Sequence, residues 1–338
     1  MIDGEEEKML RTVSTLYYIE DLTQQEIAKK LSLSRQRVNR LLKRAKEEGI
    51  VQISISNTSN DLLERELEKR FKLTEVQICS RESSNLASDI GKMAYSTLMR
   101  RARSSSIVGL SWGNTLSNMI RWCEVADNNF EDITVVQLNG GLTRSISATG
   151  AGHLLETIGN ALNAEVYQLM VPAIVDSSEI CKNLQNESAV KDVLAMARDA
   201  DIALFSVGIP DTNSVLSIAG YLDKSELVTL TEEKGAVGDI CSRYFTADGN
   251  VAWDDLDERT IGITLNELRK IPQKICVSFG EQKASAVYAA LRSQYIDVLI
   301  VDSGLAHSLL MLDDVQKGAD AGENYERVSV SKGRARRG

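Results

Sequence analysis

Hydrophobic positions recur at helical spacing between Thr23 and Glu48, with Ile27, Ala28 and Leu31 on one short segment and Val38, Leu41, Leu42 and Ala45 on the next. Thr23 and Glu26 stand at the capping-box spacing that starts a helix. Ser32 to Ser34 form the connection, with Leu33 placed to plug the angle between helices and Ser34 to cap the second. The pattern predicts two short helices joined by a tight turn. Gly49 suits a helix C-cap, and the alternation VQISIS over Val51 to Ser56 predicts a strand that would form a small wing. Helical spacing returns at Asn60 to Phe71, where Leu62, Leu63, Leu67 and Phe71 sit among charges. This is a linker helix whose apolar face packs on its own body or on another subunit.

From Thr74 the pattern changes to near-continuous apolar runs of the kind buried on both faces of a parallel sheet: VQICS at Val76, SSIVGLSWG at Ser105, ITVVQLNGG at Ile133, AEVYQLMVP at Ala164, DIALFSVGIP at Asp201, KICVSFG at Lys274 and DVLIVDSG at Asp297. Helical segments around 86–103, 114–126, 150–163, 186–200, 281–293 and 304–313 lie between or after them. The fold class predicted is α/β: an N-terminal winged helix-turn-helix followed by a sheet with helices on both sides. Periodicity stops near Gly318, and the tail ends in Lys332, Arg334, Arg336 and Arg337, so disorder is expected there. The expected division is 1–57, a linker helix over 58–73, an α/β domain over 74–316 and a tail over 317–338.

Charge sharpens the first segment. The whole chain of 338 residues carries a net charge of −9, yet residues 1–60 hold 10 basic and 9 acidic residues, and Ile27 to Lys46 holds eight Lys or Arg and no acid. The acidic excess therefore lies in the later domain, where it discourages loose contact with nucleic acid. On the second helix Gln36, Asn39, Arg40 and Lys43 gather opposite the apolar arc, and Arg35 and Arg37 flank them. Arg pairs with guanine and Asn or Gln with adenine through two hydrogen bonds each, so this face suits the major groove of double-stranded DNA. Base contact is assigned to Gln36, Asn39 and Arg40, and phosphate contact to Arg35, Arg37 and Lys43. No signal pattern or long apolar run is present, and a cytoplasmic protein without membrane partners is expected. Five scattered cysteines without a CxxC pair and two histidines suggest neither disulfides nor a metal site, and no cofactor is expected.

Ligands of open α/β sheets collect at strand carboxyl ends. GLSWGNTL runs from a strand through small residues into a helix, where the backbone N–H groups of Gly113, Asn114 and Thr115 and the hydroxyls of Ser111 and Thr115 suit an anion. It matches neither a P-loop nor a dinucleotide fingerprint. Asn139, Gly140 and Gly141 close the next strand, GAVGDICSRYF supplies Asp239 and Arg243, FGEQK supplies Lys283 and VDSG supplies Asp302. A cation for a phosphate and acids for sugar hydroxyls make a coherent division of labour. An isomerase or deaminase carrying a DNA-binding appendage is the alternative, but no nucleophile with a paired base is evident.

The helix-turn-helix EIAKKLSLSRQRVNRLLKRAKEEGIV together with GLSWGNTL, VVQLNGG, GAVGDICSRYF, RTIGITLNELRKIP and DVLIVDSGLAHSLL resembles the SorC family of bacterial sugar-responsive transcription regulators over nearly all of residues 8–315. The resemblance implies an effector domain similar to the sugar-phosphate isomerase and deaminase fold, assembly as dimers or tetramers, and operator binding modulated by a phosphorylated sugar, sugar or polyol. It makes Gly113, Asn114 and Thr115 the phosphate loop, Lys283 its cationic partner, and Asp239 and Asp302 hydroxyl contacts. Ser278, Phe279 and Gly280 stand where members often have an Ala-Gly-Gly-like stretch, and Val301 where Thr often precedes the acid.

Overall fold

The computed structural model describes residues 4–18, 20, 22–47, 50–51, 58–123, 130–141 and 151–334. The chain forms two compact units, Met1–Asn57 and Thr58–Gly338.

The first unit holds helices α1 (Gly4–Tyr18), α2 (Gln24–Lys30) and α3 (Arg35–Glu47). The predicted caps are present. Thr23 Oγ1 accepts from the Glu26 amide at 3.4 Å, Glu26 returns the bond to the Thr23 amide at 2.8 Å, and Ser34 Oγ accepts from the Arg37 amide at 3.2 Å. Val38, Leu42 and Ala45 are buried, and Leu33 packs on the same cluster. The helix α1 was not anticipated, although Leu10, Val13 and Leu16 repeat at helical spacing; all three are buried, and Val13 and Leu16 close the core against Ile27 and Val38. Gly49 and residues 52–56 of the expected wing lie outside the described residues.

Among its described residues the second unit is built on seven strands, β1 (Glu75–Cys79), β2 (Ile107–Leu110), β3 (Thr134–Gln137), β4 (Glu165–Tyr167), β5 (Ile202–Phe205), β8 (Gln273–Val277) and β9 (Val298–Asp302), with β6 (Ala236–Ile240) and β7 (Arg243–Thr246) forming a separate hairpin. The seven run parallel in the order β1-β9-β8-β5-β2-β3-β4. Each arises from one of the apolar runs. Successive residues point to opposite faces, so Ala203 and Phe205 of β5 join one core cluster while Ile202 and Leu204 join the other. Burial on both faces is why the inner runs do not alternate with polar residues, whereas β4, at the sheet edge, leaves Glu165 and Val166 exposed and does not meet that expectation.

Helix α4 (Thr58–Phe71) belongs to this unit. Leu67 is fully buried, and Leu63 and Phe71 pack on the main cluster, whereas Leu62 is exposed. The same helix covers the open edge of β1: Asn60 Nδ2 donates to the Ile78 carbonyl at 3.1 Å, while Glu64 and Glu68 accept from the Ile78 and Val76 amides at 2.8 and 3.0 Å. Four helical residues advance about 6 Å and two strand residues about 6.6 Å, so side chains at helical spacing of four meet alternate strand residues. At the other end, the C-terminal helix Ser303–Arg334 continues through most of the stretch where a disordered tail is expected, with no proline after Pro272 to stop it.

Candidate functional site

On the first unit, Arg35, Gln36, Arg37, Asn39, Arg40 and Lys43 are all exposed on α3, opposite the buried Val38, Leu42 and Ala45. Gln24 of α2 reaches Asn39, with Nε2 to Oδ1 at 3.5 Å. A cationic helix face fixed by a capped neighbour has the chemistry that contacts phosphates and base edges in a major groove.

The second unit contains a cavity of about 390 Å³ at the carboxyl ends of β2, β5 and β8. Its position follows from topology. Strands β2 and β5 lie side by side, but β2 leads outward to β3 whereas β5 leads the other way to β8, and loops that diverge from such a switch point leave a crevice. Ser111, Gly113, Asn114, Thr115, Asn139, Asp239 and Lys283 all line it. Gly113 has φ 144°, and a Cβ there would meet nothing within 4 Å, so the glycine serves backbone conformation rather than space. It precedes the short helix Asn114–Ser117, whose first amides have no acceptor within the helix.

The floor is a polar relay. Ser111 Oγ donates to Asn139 Oδ1 at 3.1 Å, and Asn139 Nδ2 donates to Ser242 Oγ at 3.0 Å. Ser242 and its neighbour Cys241 form the tip of the β6–β7 hairpin with φ 67° and 52°. Two consecutive positive values match a type I′ turn, which favours Asn-Gly; Cys-Ser there stores strain of about 1 to 3 kcal/mol per residue. Burial pushes the Cys241 thiol up to about 12, so it is a neutral lining group rather than a nucleophile.

Asp239 enters from β6. Its amide and carbonyl pair with those of Gly208 at 3.1 and 2.9 Å, and its Oδ1 lies where a Cβ on Gly208 would come within 2.0 Å. Burial raises its carboxyl to about 6, opposed by the positive charge of Lys283. Lys283 donates to Ser206 Oγ at 3.4 Å, and burial lowers its ammonium below the ordinary lysine value against the pull of Cys276 and Asp239. A carboxylate and an ammonium both held short of full hydration are paired for a ligand carrying hydroxyls and an anion.

Four residues expected in the site have other work. Arg243 is buried and spends its guanidinium on the carbonyls of Asp257, Thr260, Gly262 and Ile263, at 2.8 to 3.0 Å, which ties a loop to the hairpin. Asp302 is buried beneath the rim: Oδ1 accepts from the Gly304 and Leu305 amides at the start of the C-terminal helix, and Oδ2 from the Gly280 amide at 2.6 Å. Gly140 is needed because a Cβ would lie 2.4 Å from the Pro172 carbonyl, and Gly141 pairs with Val171 at 2.8 Å. None of the four lines the cavity.

Other lining residues escaped the sequence reading. Ser206, Gly208, Asp211, Asn213 and Ser214 form the loop after β5, and its turn-rich stretch GIPDTNS was a usable signal. Trp112, inside the GLSWGNTL loop, adds ring surface, and so does Phe279, which the resemblance already sets beside the phosphate position. Among the described residues no three His, Cys, Asp or Glu converge as metal ligands, and no helix is long and apolar enough to cross a membrane.

Comparison with known proteins agrees with both units. Residues 56–311 match the family model "Putative sugar-binding domain", and residues 10–47 match region 4 of sigma-70. The chain is 31% identical over 314 residues to the deoxyribonucleoside regulator of Bacillus subtilis, covering 91% of this chain and 99% of that protein. It is also 31% identical over 312 residues to the transcriptional regulator LsrR of Escherichia coli O139:H28, covering 90% and 95%. The full-length sorbitol operon regulator SorC of Klebsiella pneumoniae superposes with a TM-score of 0.72 at 26% identity, covering 91% of this chain and all of that one.

Proposed function

Because this chain belongs to the SorC family of sugar-binding transcription regulators, DNA-binding proteins rather than enzymes, we propose that its α3 helix reads an operator and that a phosphorylated sugar or polyol in the cavity sets how tightly it does so. The observation that carries this reading is the convergence of the Gly113–Thr115 loop, Asp239 and Lys283 on one cavity at the sheet's switch point. Lys283 and the loop amides take the anionic end, and Asp239 and Asn139 take hydroxyls. Gln36, Asn39 and Arg40 select bases, while Arg35, Arg37 and Lys43 grip phosphates. Operators for such helices are near-palindromic when the protein is a dimer or tetramer, which is the assembly proposed here, acting in the cytoplasm on genes of carbohydrate metabolism.

A regulator changes affinity only if its effector distinguishes two arrangements of the protein. The test is thermal unfolding of the full chain against a panel of pentose, hexose and hexitol phosphates and their unphosphorylated counterparts, followed by footprinting on DNA flanking its gene with the compound that stabilises. Ligand at about 100 times its Kd should stabilise by about 2.7 kcal/mol. Stabilisation without any change in the footprint would refute regulation, and a footprint indifferent to Arg40→Ala would refute reading by α3.

A further inference from the structure

The cavity has a wall as well as charges. Trp112 follows β2, and its single polar atom is already used: Nε1 donates to the Gly140 carbonyl at 2.8 Å. That acceptor is itself fixed, since the Gly140 amide donates to the Ile261 carbonyl at 2.9 Å and the Pro172 backbone stands so near that a Cβ on Gly140 would come within 2.4 Å of its carbonyl oxygen. Trp112 therefore lines the cavity as a held aromatic surface with no hydrogen bond to offer a ligand. Val215 and Leu216 line the cavity too, and Phe279 contributes from the end of β8, two strand positions from β2. Asp211, Asn213, Asp239 and Lys283 supply the polar partners.

This division does not suit every sugar derivative. An open-chain polyol carries a hydroxyl on nearly every carbon and flexes about each bond, so laying it on an aromatic surface leaves hydroxyls desolvated and freezes rotors. A closed furanose or pyranose ring gathers C–H groups on one face, sets its hydroxyls at the rim and has few rotors left to lose. Only the ring form matches a fixed aromatic wall bordered by carboxylate, amide and ammonium groups.

We infer that Trp112 is a specificity-determining residue that selects a ring-closed sugar phosphate, with the C–H face of the ring against the indole. The inference rests on the sugar-effector reading and goes beyond it by assigning the form of the sugar and the residue that reads it. The Gly140 bond makes that residue a rigid reader, and Gly140 acts on the ligand only through it.

The test uses probe pairs of equal charge that differ in ring closure: methyl ribofuranoside 5-phosphate against ribitol 5-phosphate, and methyl glucopyranoside 6-phosphate against glucitol 6-phosphate. Calorimetric titration of the full chain should show the ring-locked member of at least one pair binding about tenfold tighter. Trp112→Leu should abolish that preference by weakening the ring-locked member about tenfold more than its open-chain partner, and Trp112→Phe should keep most of it. Equal affinity of the unaltered protein within each pair, or a preference for the open chain, overturns the inference without needing any variant. A Trp112→Leu loss shared equally by both members assigns the residue to packing alone and also overturns it. Failure of every sugar phosphate to bind, phosphorylated polyols included, sinks the underlying effector reading instead.

Discussion

Asp239 offers a quantitative check on the cavity. Its carboxyl ionises near 3.8 in an unfolded chain and at about 6 in the folded protein, because burial penalises the charge more than Lys283 restores it. A folded value above the unfolded one means that the native state holds the proton longer. The protein therefore gains from neutral Asp239 at low pH and loses that gain as pH rises from about 4 through about 6. A shift of roughly 2 units corresponds to about 3 kcal/mol between the limits, and partial solvent access through the cavity mouth brings the expected change to about 2 kcal/mol. Asp239→Asn keeps the size of the side chain and the backbone pairing with Gly208 but cannot ionise. Urea unfolding of ligand-free protein, followed by tryptophan fluorescence at several pH values, should show the variant gaining on the unaltered protein by about 2 kcal/mol between about pH 4 and pH 7.5. A stability difference that stays constant across that window would refute the claim that the carboxylate is held at a desolvation cost.

Three other outcomes follow from the same geometry. Gly208→Ala puts a methyl group 2.0 Å from Asp239 Oδ1, so it should displace the carboxylate and weaken effector-induced stabilisation at least about tenfold in apparent Kd while costing about 1 to 3 kcal/mol of stability, read by thermal shift with and without ligand. Arg243→Lys cannot span four carbonyls and should destabilise by about 3 kcal/mol, yet the residual folded protein should bind effector with ordinary affinity in calorimetry. Arg40→Ala should cost about 1 to 3 kcal/mol and relax base preference in operator binding, whereas Arg37→Ala should weaken all sequences alike and lower the salt slope by about 1.

The elements that were legible in the sequence are those where one local rule dominates. Runs such as VLIVD and IALF have no alternative to burial on both faces, and Thr23 with Glu26 has a geometry that only a helix start satisfies. The helix α1 is less legible because the apolar spacing of Leu10, Val13 and Leu16 comes without basic residues in its last turn to mark where it stops. Site residues separate by a different rule. Asn114, Asp239 and Lys283 face the cavity, but Arg243 and Asp302 are equally polar and sit in the same motifs; whether a side chain turns toward ligand or toward unsatisfied backbone is decided by partners brought from elsewhere in the chain. Carbonyls at 257–263 claim Arg243, and the amides of Gly280, Gly304 and Leu305 claim Asp302. The aromatic wall was only partly legible: Trp112 lies within the GLSWGNTL loop and Phe279 just before Lys283, but their sharing one crevice depends on β2 and β8 standing two positions apart in the sheet.

The cover that α4 places over β1 determines where the ligand-binding unit can be cut free. A fragment beginning at Thr74 would keep every strand and every lining residue, but it would lose Asn60, Glu64 and Glu68 and so bare the amides of Val76 and Ile78 along an unpaired edge. Such an edge recruits another like it. A fragment beginning at Thr58 should stay dispersed at concentrations where the shorter one precipitates or pairs edge to edge, as light scattering would show. The first sixteen residues of the unit thus act as a built-in solubility guard for a sheet that is otherwise complete without them.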